Sequence, residues 1–289
     1  MSMAAELSSG KGAADENFPV ASHLVAARHR PLILAFYRVA RLADDIADHA
    51  GAPPQQKLER LAEIESSLLG QGAAVPQAVA LRALLDARGM SPLHMLDLLE
   101  AFRRDVTKLR YEDWDELMDY CRYSAAPVGR FVLDLHGEPR STWPRSDALC
   151  AALQVINHLQ DCGSDFLELD RVYLPRDALD GHDARVEMLG AAVADPALGA
   201  AIHGLAERTL GLLDAAEPFA RQVKDLRLAL EIGVIHRLAR SLAGRLARLD
   251  PLAEKVRHRR WEALGLAVLG LGGTLATRIG SRQAGPAGP

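Results

Sequence analysis

Aromatic side chains are scarce in this chain: Phe, Tyr and Trp make up 5% of its 289 residues. Cysteine is scarcer still. Cys121, Cys150 and Cys162 are odd in number and lack metal-ligand or redox spacing, which excludes a disulfide scaffold and suits a reduced, cytoplasmic protein. No secretory leader is expected, because residues 1–16 are polar and Gly/Ala-rich without an apolar core. The most apolar stretch, Ala263 to Ala276, falls short of the ~20 residues needed to span a bilayer and is interrupted by glycines. A net charge of −4 and a pI near 6.2 give no reason to expect nucleic acid as a partner. Also missing are a Gly-rich phosphate loop, a His-Glu-x-x-His pair, a serine-nucleophile elbow and internal repeats.

Strand signals are missing too, and helix signals dominate. With 49% hydrophobic residues the chain can bury a sizeable core. Helices are predicted from Pro31 to about His49, Gln55 to Leu69, Pro76 to Arg88 and Ser91 to Leu109, with Ser91 as N-cap and Pro92 at the first helical position. Further helices are predicted from Trp114 to His136, Asp147 to Leu167, Pro196 to Val223 and Leu226 to Leu249, with residues 137–146 as a connector. Residues 1–15 and 281–289 read as disordered ends flanking one all-α domain over 16–280. Ala263 to Ala276 reads as a terminal helix that either packs on the bundle or lies against a membrane surface.

Against this apolar background stand two Asp-x-x-x-Asp pairs, Asp44/Asp48 and Asp161/Asp165. Residues four apart share a helix face, so each pair aims two carboxylates one way. Like charges at that spacing cost roughly 0.2–0.5 kcal/mol even on an exposed helix, and more where water is scarce. Tyr37 and Arg41 share the face of the first pair; Gln154 and Asn157 share that of the second. If the two helices pack side by side, their stripes line one polar cleft. Mg²⁺, which takes oxygen ligands and is held by carboxylates together with substrate phosphates, would suit that cleft. Solvated or ion-paired acidic faces are the alternative. Asp45 points about 100° away from Asp44.

The segments Asp44-Asp45-Ile46-Ala47-Asp48, Gln154 with Asn157, Asp161 and Asp165, and Arg171-Val172-Tyr173-Leu174-Pro175 resemble the squalene/phytoene synthase family over roughly residues 16 to 255. Glu16-Asn17-Phe18-Pro19-Val20-Ala21-Ser22 and Ser124-Ala125-Ala126-Pro127-Val128-Gly129-Arg130 resemble its hopanoid-pathway branch, which includes hydroxysqualene synthases. Two departures stand out. His158-Leu159 occupies a place where that branch tends to carry aromatics, and Gln160 stands where phytoene-type members have arginine. The resemblance implies an isoprenoid-synthase helical bundle with a central active-site cavity, Mg²⁺ as cofactor, and ligands from Asp44, Asp48, Asn157, Asp161 and Asp165.

It further implies substrate contacts from Phe18, Arg41, Tyr120, Gln154 and Arg171, with Tyr37 and Tyr173 as catalytic residues. Arg41 and Arg171 could instead pair with neighbouring aspartates. The implied substrate is presqualene diphosphate, made by a separate presqualene diphosphate synthase, and the product would pass to a flavin-dependent enzyme. Alternatives are head-to-head condensation of farnesyl diphosphate or of geranylgeranyl diphosphate, and an inactive interaction subunit.

Overall fold

The computed structural model describes residues 25–72 and 74–283. Twelve α-helices follow one another in this range. They are α1 (Arg30–Asp48), α2 (Pro54–Leu69), α3 (Pro76–Asp86), α4 (Leu93–Thr107), α5 (Trp114–Ser124) and α6 (Ala126–Leu135), then α7 (Trp143–Leu169), α8 (Arg176–Asp180), α9 (Pro196–Ala216), α10 (Phe219–Gln222), α11 (Leu226–Leu246) and α12 (Arg260–Gln283). Aspartates cap several starts: the carboxylates of Asp113, Asp195 and Asp225 accept backbone N–H bonds from the first turns of α5, α9 and α11.

Several boundaries differ from the sequence expectation, most of them for a local reason. The helix predicted over Trp114–His136 is broken at Ala125, because Pro127 lacks an N–H and its ring clashes with the preceding turn. The predicted Pro196–Val223 helix breaks in the same way at Pro218. The connector after Gly137 is shorter than expected, since Pro144 is accommodated in the first turn of α7. Pro92, rather than Ser91, sits at the N-cap of α4, although the Ser91 hydroxyl still accepts the Leu93 N–H at 3.2 Å. At the other end, α12 runs to Gln283, into the segment expected to be a tail; residues 284–289 lie outside the described residues.

Two apolar cores result. One gathers α1, α2, α3, α4 and part of α6 around Leu61, Leu81, Leu99 and Phe131, with Phe36 and Phe131 stacked at 4.1 Å. The other gathers α5, α7, α9 and α11 around Leu117, Ile156, Ile202 and Leu246. Each such fully buried side chain contributes roughly 1.5–3 kcal/mol. The aspartate helices α1 and α7 belong to different cores and face each other across a cavity at the seam between them, rather than packing side by side. Gly129 sets the α6–α7 approach, because a Cβ there would meet Cys150 Sγ at 2.6 Å and crowd Ser146. Arg130 then clamps the same pair of helices through a two-pronged contact to Asp147, at 2.9 and 2.6 Å.

The terminal helix packs on the bundle along α11. The glycines that would interrupt a membrane span serve as the contact: a Cβ on Gly270 would stand 2.8 Å from the Gly233 carbonyl oxygen and 2.9 Å from Val234 Cα. Arg278 fastens the far end by donating to the carbonyls of Ala220, Val223 and Lys224. Gly270→Val is therefore expected to lower stability by about 1–3 kcal/mol in urea unfolding. Gly272→Ala, with open space around it, should be neutral or slightly stabilising.

Candidate active site

A cavity of about 320 Å³ opens at the seam. α1 contributes Tyr37, Arg41, Asp44 and Asp48, and α7 contributes Gln154, Asn157, His158, Asp161 and Asp165. Tyr120 reaches in from α5, and Arg171 and Tyr173 from the segment after α7. Every residue proposed for the site lines this cavity except Phe18, which lies outside the described residues together with the Glu16–Ser22 motif. Both aspartate pairs face the same space. Asp45 does not line it; its carboxylate is turned to Arg41 at 2.8 Å.

Both pairs lie toward the C-terminal ends of their helices, where the helix dipole disfavours negative charge, and neither helix carries a basic residue in its last turn. Five carboxyl groups, those of Asp44, Asp48, Asp105, Asp161 and Asp165, share the cavity with two guanidinium groups. Burial, reinforced by Asp161 and Asp48, pushes Asp165 up to about 7, with Arg171 pulling the other way. Burial and the neighbouring Asp48 likewise raise Asp44, which Arg41 partly offsets.

The arginines are already engaged. Arg41 pairs with Asp44 at 2.7 Å as well as with Asp45, and Arg171 pairs with Asp48 at 2.5 Å. Arg171 also donates to the carbonyls of Asp105 and Ala47, each at 3.0 Å, so it bridges α1, α4 and the strand-like turn behind α7. That turn is held in place by Val172 N–H bonding to the Leu109 carbonyl at 2.9 Å. Both arginines therefore adopt the ion-paired alternative in this structure.

Asp105 is a site residue that the sequence reading missed. Its carboxylate is buried and accepts hydroxyl hydrogen bonds from Tyr120 at 3.0 Å and Tyr173 at 2.8 Å. Burial lifts it to about 6, against the pull of Arg171 and the two tyrosines. The available signal was its spacing: Leu98, Ala101, Phe102 and Asp105 fall on one face of α4, placing an acid in an apolar stripe. The tyrosines it holds form a ring cluster with Tyr111 and His158. His158 stacks on Tyr173 with centroids 3.6 Å apart, and burial pushes it down to about 3, so it is a neutral flat ring. An imidazole thus occupies the aromatic place that the sequence showed as a departure. Gln160 instead turns away from the cavity and donates to the Val256 carbonyl.

A second cavity of about 320 Å³ adjoins the first and shares Tyr37, Ala40 and Val128 with it. Its walls are mainly apolar, with Phe36, Phe131, Leu149, Leu153, Phe219 and Ile232 among them. A chamber carrying five carboxyl groups thus adjoins one walled mainly by hydrocarbon side chains.

Such a helical bundle, with facing aspartate helices around a central cavity, is an isoprenoid-synthase fold. The chain matches the squalene/phytoene synthase family model over residues 12–262 and belongs to that family, whose members are enzymes acting on prenyl diphosphates. It is 57% identical to a hydroxysqualene synthase of Rhodopseudomonas palustris over 89% of this chain and 88% of that one. It is 51% identical to a hydroxysqualene synthase of Zymomonas mobilis, covering 94% and 92%. A crystal structure of a squalene synthase from Alicyclobacillus acidocaldarius superposes with a TM-score of 0.71 at 32% identity, covering 85% and 92%.

The raised carboxyl groups set a pH signature. Asp105 and Asp165 ionise at higher pH folded than unfolded, so their contribution to stability falls as pH rises from about 4, the unfolded value, toward 6–7. A bound cation offsets that loss only once the carboxylates are ionised. Mg²⁺ with inorganic diphosphate should therefore raise the melting temperature at pH 8, by roughly 5–10 °C at about a hundred times Kd, and scarcely at pH 5. A scanning-calorimetry series in Mg²⁺ or EDTA checks it.

Proposed function

We propose that this enzyme converts presqualene diphosphate and water to hydroxysqualene and diphosphate. The observation that carries the reading is the junction of the two cavities at Tyr37, Ala40 and Val128. It would place a diphosphate among the aspartates and two long hydrocarbon arms in the apolar chamber. The choice among reactions of the family is supported by the 51–57% identity to relatives named hydroxysqualene synthase.

The donor set suits Mg²⁺: all oxygen, with more carboxyl groups than cationic partners. Among the described residues no three His, Cys, Asp or Glu side chains close around one point, as expected where substrate phosphates and water complete the coordination. Asp44, Asp48, Asn157, Asp161 and Asp165 would hold Mg²⁺ ions between them, no more than two of the carboxylates on any one ion, and the bound metal would neutralise charge on the leaving diphosphate. Arg41 and Arg171 orient the two carboxylates of α1 and add positive charge beside the leaving group.

In the reaction the carbon–oxygen bond breaks and the diphosphate departs with the electron pair. The rearranged allylic cation then takes the oxygen of a water molecule, and that water loses a proton. Tyr120, Tyr173 and His158 line the cavity, His158 and Tyr173 stacked on each other, and a desolvated cation over an aromatic face gains about 2 kcal/mol or more. Asp105 fixes the two tyrosine hydroxyls, so their rings cannot turn to quench the cation early. A water-quenched cation requires no hydride donor. The substrate would come from a presqualene diphosphate synthase and the product would pass to a flavin-dependent enzyme.

Purified protein, Mg²⁺ and presqualene diphosphate in ¹⁸O-water should yield hydroxysqualene carrying the label, with rate and product unchanged by NADPH. Farnesyl diphosphate alone should give little product. Asp48→Asn and Asp161→Asn should each lower turnover by about 10²–10³-fold while the helical circular dichroism is retained. Presqualene diphosphate accumulating from farnesyl diphosphate, or a C40 product from geranylgeranyl diphosphate, would overturn the substrate assignment.

A further inference from the structure

α12 carries two faces of different chemistry. One meets α11 through Gly270 and the buried Thr274. The opposite face holds Trp261, Leu264, Val268 and Leu275, exposed by 68%, 68%, 59% and 41%. At 100° per residue these four positions fall within an arc of roughly 60°. Gly265 and Gly272 lie beside this arc, roughly 40° and 20° past Trp261, with open space around them, so among the described residues nothing covers that flank of the stripe. This much large apolar surface on one short arc is unusual for a chain that works alone in water.

The surroundings of the stripe are cationic. Lys255, Arg257, Arg259 and Arg260 are exposed where the chain enters α12, in a molecule whose net charge is −4. Of the two acids nearby, Glu262 is paired with Arg245 at 3.0 Å, leaving Glu254 exposed. No described helix is long and apolar enough to cross a membrane. A helix with an apolar stripe, a tryptophan at its polar end and a cluster of arginines matches a helix lying in the plane of an anionic bilayer surface.

We propose that the outer face of α12 docks the enzyme on bilayers containing anionic phospholipid, with Trp261, Leu264, Val268 and Leu275 entering the interface and Arg257, Arg259 and Arg260 meeting the headgroups. The proposal does not depend on which prenyl diphosphate the enzyme uses. None of these residues lines the catalytic cavity, so docking and turnover are separable.

Full-length protein is mixed with vesicles of phosphatidylcholine alone, or of phosphatidylcholine with phosphatidylglycerol, and sedimented. Co-sedimentation with the anionic vesicles is expected, accompanied by a blue shift of tryptophan emission that Trp261→Phe removes. Trp261→Ser with Leu264→Ser should weaken partitioning by about a hundredfold, and Arg259→Gln with Arg260→Gln by roughly fivefold for each charge. Both variants should keep wild-type circular dichroism and turnover on detergent-dispersed substrate. Failure to bind anionic vesicles, or binding unchanged in the serine variant, would overturn the proposal. So would concentration-dependent self-association that the serine variant abolishes, which would make the stripe a contact between copies.

Discussion

The rest of the site depends on one unfavourable interaction: carboxylates held close together at the seam between two apolar cores. α1 and α7 each bring an Asp-x-x-x-Asp pair to that seam, near helix ends whose dipoles add to the repulsion. Water cannot screen the charges fully, and the raised Asp44 and Asp165 register this. The protein compensates in part with Arg41 and Arg171, each bonded to a carboxylate of α1. On the proposed function, what remains negative would be matched by a cation arriving with the substrate. The bundle supplies the rigidity, since helices from separate cores cannot turn their stripes apart without exposing Val39 of α1 on one side or Ile156 of α7 on the other.

The apolar chamber follows from the same seam. Where the stripes of α1 and α7 run out of polar residues, the space between the cores continues, now walled by Phe36, Phe131 and Leu149. The break at Ala125, forced by Pro127, brings Ser124 to the polar chamber and Val128 to the junction. Gly129 and Arg130 then bind α6 to α7 at close range. The short Ser124–Arg130 motif thus shapes the boundary between the two chambers.

Most of the fold was legible because helical periodicity and aspartate spacing are local properties. The stripes Tyr37–Asp48 and Gln154–Asp165 could be read in advance, and the structure places them around one cavity. What escaped depends on contacts distant in sequence. Asp105 is bonded to Tyr120 and Tyr173, partners 15 and 68 residues away, and its own helix showed only an acid in an apolar stripe. His158 looked like a lost aromatic until its stacking on Tyr173 was visible. The glycines of α12 suggested a poor membrane helix; their close approach to Gly233 and Val234 is a tertiary fact. Gln160 stood out in sequence, yet it faces Val256 rather than the cavity.

The central claim is that both aspartate pairs serve the same cation–diphosphate complex. Anomalous diffraction from crystals soaked in Mn²⁺ and inorganic diphosphate tests it most directly. The account predicts manganese peaks between diphosphate oxygens and carboxylates of both α1 and α7, with at least one ion reached from each pair. Manganese confined to one pair, or diphosphate bound away from the seam with the aspartates contacting only one another, would contradict it.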